Sequence, residues 1–203
     1  LVSRDGEQLT DLGQHADEEY YVRAELGAVL RHPFRRAVHS AVWNGQILIS
    51  PNDRYEIRAY DPDGSLAVIV RRRHLVQEVT QADVDAYVAR RAADAAPEDR
   101  PEIARVFDGI PPVASFPAFS GLVVDDSGDL WVNEYGRPGS ERSLWTVFAS
   151  DGRIRGHVET PVGLTVYRIG ADHILGRFED ELGVEHVQLW SLDRSSGSPV
   201  GEP

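Results

Sequence analysis

Between Gly121 and Glu159, apolar and polar positions alternate in short runs, and each run is closed by turn-forming residues. Gly121–Asp125 and Leu130–Tyr135 are rich in β-branched and aromatic residues, and Asp126-Ser127-Gly128-Asp129 separates them, which predicts two strands joined by a tight turn. A looser polar loop, Gly136 to Arg142, leads to a third run at Ser143–Ala149. Asp151-Gly152 then turns the chain into a fourth, Arg153–Glu159. Asp-Gly between alternating runs is a strong hairpin signal, because the turn needs positive φ. The pattern is that of a four-stranded antiparallel meander.

The pattern recurs in register on both sides. Leu48-Ile49-Ser50 follows Asn44-Gly45-Gln46 as Trp131-Val132-Asn133 follows Ser127-Gly128-Asp129, and as Leu175-Gly176-Arg177 follows Ala171-Asp172-His173. In the third strand Ile57, Ala59 and Tyr60 match Trp145, Val147 and Phe148, which in turn match Val187, Leu189 and Trp190. The step between the last two copies lies near the roughly 40–45 residues of a propeller blade. The sequence therefore predicts an all-β fold, a β-propeller with about three readable four-stranded antiparallel blades at 37–71, 121–159 and, one strand short, 164–192. Strand signals fall at Ala41–Ser50, Tyr55–Tyr60, Leu66–Val70, Leu122–Val124, Leu130–Glu134, Leu144–Phe148, Ile154–Val158 and Val187–Leu192. Trp131, Trp145, Phe148, Val187 and Trp190 are expected to be buried between blades.

The rest of the chain breaks this rhythm. Leu1–Gly13 reads as the remnant of an earlier blade, two strand ends about an Asp5-Gly6 turn. Gln14 to Arg36 reads as an irregular link, with an acidic cluster at Asp17, Glu18 and Glu19 and a basic one at Arg31, His32, Arg35 and Arg36. Such a cluster is either a solvated loop or an anion site. Within an insertion at 72–120, Thr80-x-x-Asp83 resembles a capping box, and Val84, Tyr87, Val88 and Arg91 recur at helical spacing until Pro97, so Thr80–Asp94 is predicted helical. Pro101 with Ile103, Val106 and Phe107 predicts a second short helix, giving a helical insertion at about 80–109 that caps one face. Residues 195–203, SSGSPVGEP, have the composition of a flexible tail.

Four segments carry a family likeness: Tyr55–Leu66 (YEIRAYDPDGSL), Leu122–Tyr135 (LVVDDSGDLWVNEY), Leu144–Gly156 (LWTVFASDGRIRG) and Glu179–Arg194 (EDELGVEHVQLWSLDR). They resemble the six-bladed β-propeller proteins related to the NHL-repeat group, which are common among extracytoplasmic bacterial proteins. The resemblance implies a periplasmic or secreted setting. It also implies that these residues are the C-terminal part of a longer ring, whose last blade would be completed by a strand from the chain's own beginning. On its own, such a fragment is expected to be aggregation-prone or oligomeric. Proteins of this group include binding proteins and sugar-lactone hydrolases, so the likeness speaks to architecture and leaves activity open.

Charge narrows the partners. With 33 acidic and 21 basic residues the net charge is −12, which disfavours nucleic acid and anionic membrane surfaces. No apolar run approaches the length of a membrane span, so membrane insertion is not expected. Neither cysteine nor methionine occurs, which removes disulfide and thiolate chemistry. There is no G-x-S-x-G, G-x-G-x-x-G, P-loop or H-E-x-x-H signature, and the seven histidines share no ligand spacing. Asp61-Pro62-Asp63-Gly64 and Asp125-Asp126-Ser127-Gly128-Asp129 resemble calcium loops faintly, but the full D-x-D-x-D-G pattern with a distal Glu is absent, and turn chemistry explains them.

In propellers, the loops between second and third strands open on the face where ligands sit. Here they carry Asn52, Asp53 and Arg54; Asn133, Glu134, Tyr135, Arg137 and Arg142; and Arg177, Glu179, Asp180 and Glu181. Converging amide, carboxylate and guanidinium groups suit a polar small molecule, a sugar, a peptide or a protein. The expected function is non-catalytic ligand binding or protein interaction, with no cofactor. The alternative is a metal-assisted hydrolase resembling the lactonase propellers, in which Asn133, Glu134 and Asp180 hold Ca2+ or another divalent cation that polarises a substrate carbonyl.

Overall fold

The computed structural model describes residues 4–7, 10–15, 18–180 and 183–194. A hairpin of β1 (Tyr20–Arg23) and β2 (Ala28–Arg31) precedes a first sheet of β3 (Val38–Trp43), β4 (Gln46–Pro51), β5 (Glu56–Tyr60) and β6 (Leu66–Arg71). Helices α1 (Gln81–Asp94) and α2 (Arg100–Phe107) follow. The second sheet is β7 (Phe119–Val124), β8 (Leu130–Glu134), β9 (Arg142–Phe148) and β10 (Ile154–Pro161), and the third is β11 (Thr165–Ile169), β12 (His173–Glu179) and β13 (Glu185–Ser191). Each sheet pairs consecutive strands antiparallel, and none closes on itself.

Local chemistry explains these elements. The run Ala41–Ser50 splits into β3 and β4 because Asn44 and Gly45 both take positive φ, 51° and 78°, as a two-residue hairpin turn demands. Thr80 caps α1 with the full reciprocal box: its side chain accepts from the Asp83 N–H while the Asp83 carboxylate accepts from the Thr80 N–H. Pro101 stands in the first turn of α2, where its missing N–H costs nothing.

The second sheet lies between the other two. Leu130, Val132 and Phe148 turn one way, against Trp43, Leu48, Ile57, Ala59 and Val70 of the first sheet. Trp131, Trp145 and Val147 turn the other way, against Ile169 and Ile174 of the third. Hydrogen bonds fasten the layers. Trp43 Nε1 donates to the Gly128 carbonyl at 2.9 Å, the Asn52 amide donates to the Phe119 carbonyl at 2.8 Å, and the Asp126 N–H donates to the Ile169 carbonyl at 3.0 Å. The backbones approach most closely between first strands, β3 beside β7 and β7 beside β11.

Three expectations need correction. Gln14 to Arg36 is not irregular: Gly27, at φ 61°, ends a 3-10 turn that folds β1 onto β2. The acidic and basic clusters meet across this segment, Glu18 with Arg31 and Arg35 and Glu19 with Arg36. The described part of Leu1–Gly13 forms no strand; Thr10 donates instead to the Pro62 carbonyl, over the last turn of the first sheet. Residues 195–203 lie outside the described residues. Finally, Trp131, Trp145 and Phe148 are buried, but Val187 is 75% exposed and Trp190 39% exposed. Ile57 and Ala59 face the sheet that follows them, as do Trp145 and Val147. Val187 and Leu189 hold the equivalent positions in a sheet with no successor among the described residues, and water reaches them.

The Asp125 turn is a second fixed point. One carboxylate oxygen accepts from the Ser127 and Asp129 N–H groups, and the other from Trp131 Nε1 and from Arg194, all between 2.8 and 2.9 Å. Burial works to raise this carboxyl, yet Arg194, the Trp131 indole and the Asp129 N–H hold it below the usual range. Asp63 and Asp151 accept N–H groups of their own turns in the same way.

Two outcomes are expected. Trp145→Ala should cost about 3–5 kcal/mol in denaturant unfolding, whereas Val187→Ala should stay within about 0.5 kcal/mol; similar losses would show that the third sheet is covered in solution. Asp125→Asn should cost about 1–3 kcal/mol at neutral pH. Because the folded carboxyl is depressed, its stabilisation is present above the unfolded value of about 3.9 and disappears as pH falls through the folded value. The gap between wild type and variant should therefore close on acidification, and a gap that is constant with pH would refute the assignment.

Candidate functional site

The insertion leaves the first sheet after β6 and enters the second at β7, so it emerges at the end where β4 turns into β5 and β8 into β9. The first two of the loops read from the sequence as a ligand face thus lie at the end where the insertion emerges, and α1 comes beside the loop that follows β8. Asn52 and Glu134 in them are engaged in holding the layers together. Asn52 is 3% exposed; its carbonyl oxygen accepts from the Ala37 N–H and its amide reaches Phe119. Asp53 pairs with the exposed Arg54 beside it.

Glu134 is the centre of a polar clamp between first and second sheets. Its carboxylate accepts from the Tyr55 hydroxyl at 2.9 Å, from Arg72 at 2.5 Å and from the Thr146 hydroxyl. Arg72 also stacks over the Tyr55 ring, 5.2 Å from its centroid. Burial, followed by the Glu134 charge, pushes the Tyr55 hydroxyl well above its ordinary pKa, so it remains a donor.

Asn133 projects from the opposite face of β8, opposite Trp145 of β9, with its side-chain Oδ1 buried and without a hydrogen-bond partner among the described residues. Arg142 is exposed at the start of β9, and Arg137 is engaged with the Gln77 side chain. In the third sheet Arg177 pairs with Glu185, Asp180 with His186, and Glu179 is exposed. Their described contacts remain within that sheet, and Glu181 lies outside the described residues. Among the described residues, no group of three or more His, Asp or Glu side chains is placed to hold a metal ion. No helix among them is long and apolar enough to cross a membrane.

The roof makes a site of its own. Val84, Phe107, Ile110 and Phe116 form a second core with Phe34 at its edge. Phe34 sits at φ 55°, a region costly for a bulky residue, and is held there by ring contacts with Phe116 at 4.9 Å and Tyr87 at 5.6 Å. Beside it opens a groove of about 900 Å³ between α1, the segment from Pro33 to Arg35 and the loop from Tyr135 to Gly139. Phe34, Tyr87, Ile103 and Tyr135 supply its apolar lining, and Arg35, Arg90 and Arg91 its cations. Burial pushes the Tyr135 hydroxyl up to about 12, so near neutrality it is a neutral hydrogen-bonding group.

Of the loop residues expected from the sequence, Tyr135 lines this groove and Arg137 borders a smaller cavity of about 220 Å³ on its far side, with His74 and Gln77. Phe34, Tyr87, Arg90, Arg91 and Ile103 were not expected. Tyr87 and Arg91 recur at helical spacing in a stripe that reads as packing on the blades, and Arg35 belonged to a basic cluster for which an anion site was one reading. Comparison of the chain with protein-family models, with curated proteins and with solved structures finds no match in any of the three.

The raised Tyr135 hydroxyl has a measurable consequence. Its stabilisation is complete below the unfolded value of about 10 and is lost as pH rises through the folded value of about 12. Tyr135→Phe should flatten the fall in stability across that alkaline window, read from urea midpoints. An unchanged slope would mean that this hydroxyl is solvated.

Proposed function

We propose that this chain is part of a β-propeller and acts as a binding module, taking its ligand at the roofed end, in the groove between α1 and the loop that follows β8. The propeller reading rests on three consecutive antiparallel meanders, two of four strands and one of three, that stack face to face and come closest at their first strands, as blades around an axis do.

The observation that carries the binding reading is the groove itself. Its volume falls in the range of ligand sites, about 300–1,000 Å³, and its lining combines aromatic surface with a few charged groups. Three separate stretches of chain converge on it, and the Phe34 backbone is held in a strained conformation at its wall. Its groups suit binding better than catalysis: Tyr135 stays protonated near neutrality, Asp94 faces Arg90 at 3.9 Å, and the guanidinium groups are permanent cations. The Asn133, Glu134 and Asp180 arrangement gains no comparable support, because Glu134 is already bound by Tyr55, Arg72 and Thr146.

A fragment screen by NMR, using small aromatic and aliphatic carboxylates, amides and sugars on the whole chain, tests the location. Saturable shifts are expected at Phe34, Tyr87 and Tyr135, and Ala86→Trp, which plugs the groove from the exposed side of α1, should abolish them. Shifts clustering instead on Val187 and Leu189, or surviving the plug, would place binding elsewhere.

A further inference from the structure

The groove does not end at Tyr87. A second hollow of about 430 Å³ continues it, bounded by β2, α2 and the same Arg35, Tyr87, Arg91 and Ile103. Together they make an open trough along the roof, running from the loop that follows β8 past Tyr87 to β2 and α2.

Its charge balance is opposite to that of the molecule. Arg31, Arg35, Arg90 and Arg91 line the trough. Arg31 and Arg35 share one carboxylate, Glu18, each at 3.1 Å, and Arg90 has only the distant Asp94. Glu102 borders the trough but is forked onto Arg105. Arg91 forms no ion pair among the described residues; it donates to the Tyr87 hydroxyl at 3.4 Å and lies 5.7 Å over the Phe107 ring. Those two contacts fix the guanidinium and leave most of its five donors for a ligand. A local cationic surplus on a chain of net charge −12 marks a site built for an anion.

Resting on the binding reading above, we propose that the trough takes an acidic peptide segment: a short extended stretch with one or two carboxylates flanking an aromatic or aliphatic side chain. The carboxylates go to Arg91 and to the Arg31 and Arg35 end, and the apolar side chain lies between them on Tyr87 and Phe34. The apolar lining excludes a ligand that is charged throughout. The long-range field of the molecule likewise repels a polyanion, whereas one or two carboxylates meet the local surplus without that penalty.

Selection of displayed random nonapeptides on the whole chain tests this directly. Enriched peptides should carry Asp or Glu beside an aromatic or aliphatic residue. Arg91→Gln should weaken a synthetic copy of the best one about tenfold, with the thermal midpoint unchanged, and changing its carboxylates to amides should do the same to the wild type. Tyr87→Ala should remove binding altogether. Neutral or basic winners, or winners indifferent to Arg91→Gln but lost with Tyr87→Ala, would overturn the acidic-peptide assignment and leave the groove reading standing. Winners indifferent to both variants, or no enrichment at all, would overturn this proposal; fragment shifts at Phe34, Tyr87 and Tyr135 decide the groove reading separately.

Discussion

The molecule depends on one constraint: β8 and β9 are apolar on both faces. A strand that alternates Leu130 and Val132 with Trp131 cannot leave either side to water, since each large buried side chain is worth about 1.5–3 kcal/mol of burial. The second sheet must therefore be covered twice. The first sheet supplies one cover and the third the other, and neither of those outer sheets is itself covered on both faces by another sheet among the described residues. The stack follows from the alternation, and the bonds from Trp43, Asn52 and Asp126 fix the angle and spacing that apolar contact alone leaves free.

The same constraint explains what became of the loop residues at the roofed end. Where apolar layers end, polar groups must meet one another or water, and Glu134, Tyr55, Arg72 and Thr146 close the seam between two sheets in just this way. Their partners make them poor ligands for anything else. The open groove lies outward of this seam, on the surface that the insertion builds, where Tyr87 and Arg91 sit on a helix instead of a loop.

Much of the layering could be read in the sequence because it is written in local terms. Asn44-Gly45, Asp63-Gly64, Asp151-Gly152 and the Thr80–Asp83 box each specify geometry within a few residues. The β1–β2 hairpin escaped notice because charged clusters flank it, and these turned out to pair, Glu18 with Arg31 and Arg35. Val187 and Leu189 show a different limit: burial of the face they share depends on a neighbouring layer that no local pattern can supply. The trough was hidden for a similar reason: Pro33–Arg35, α1 and Tyr135–Gly139 lie far apart in sequence and meet only when the helices fold back over the sheets.

Stacked layers joined only to their neighbours behave as a one-dimensional array, and this assigns an order to the way the molecule comes apart. The third sheet has one face packed, on Trp131 and Trp145, and its other face, with Val187 and Leu189, is already wet, so opening it uncovers one buried interface where opening the middle sheet uncovers two. The middle sheet can open only after one of its covers has left. Backbone protection should thus be graded along the stack, lowest in β13 and highest in β8, and a fluctuation that frees the third sheet would leave the roof, its seam and the trough intact. The helices and the groove beside them are in this way insulated from the part of the molecule that frays.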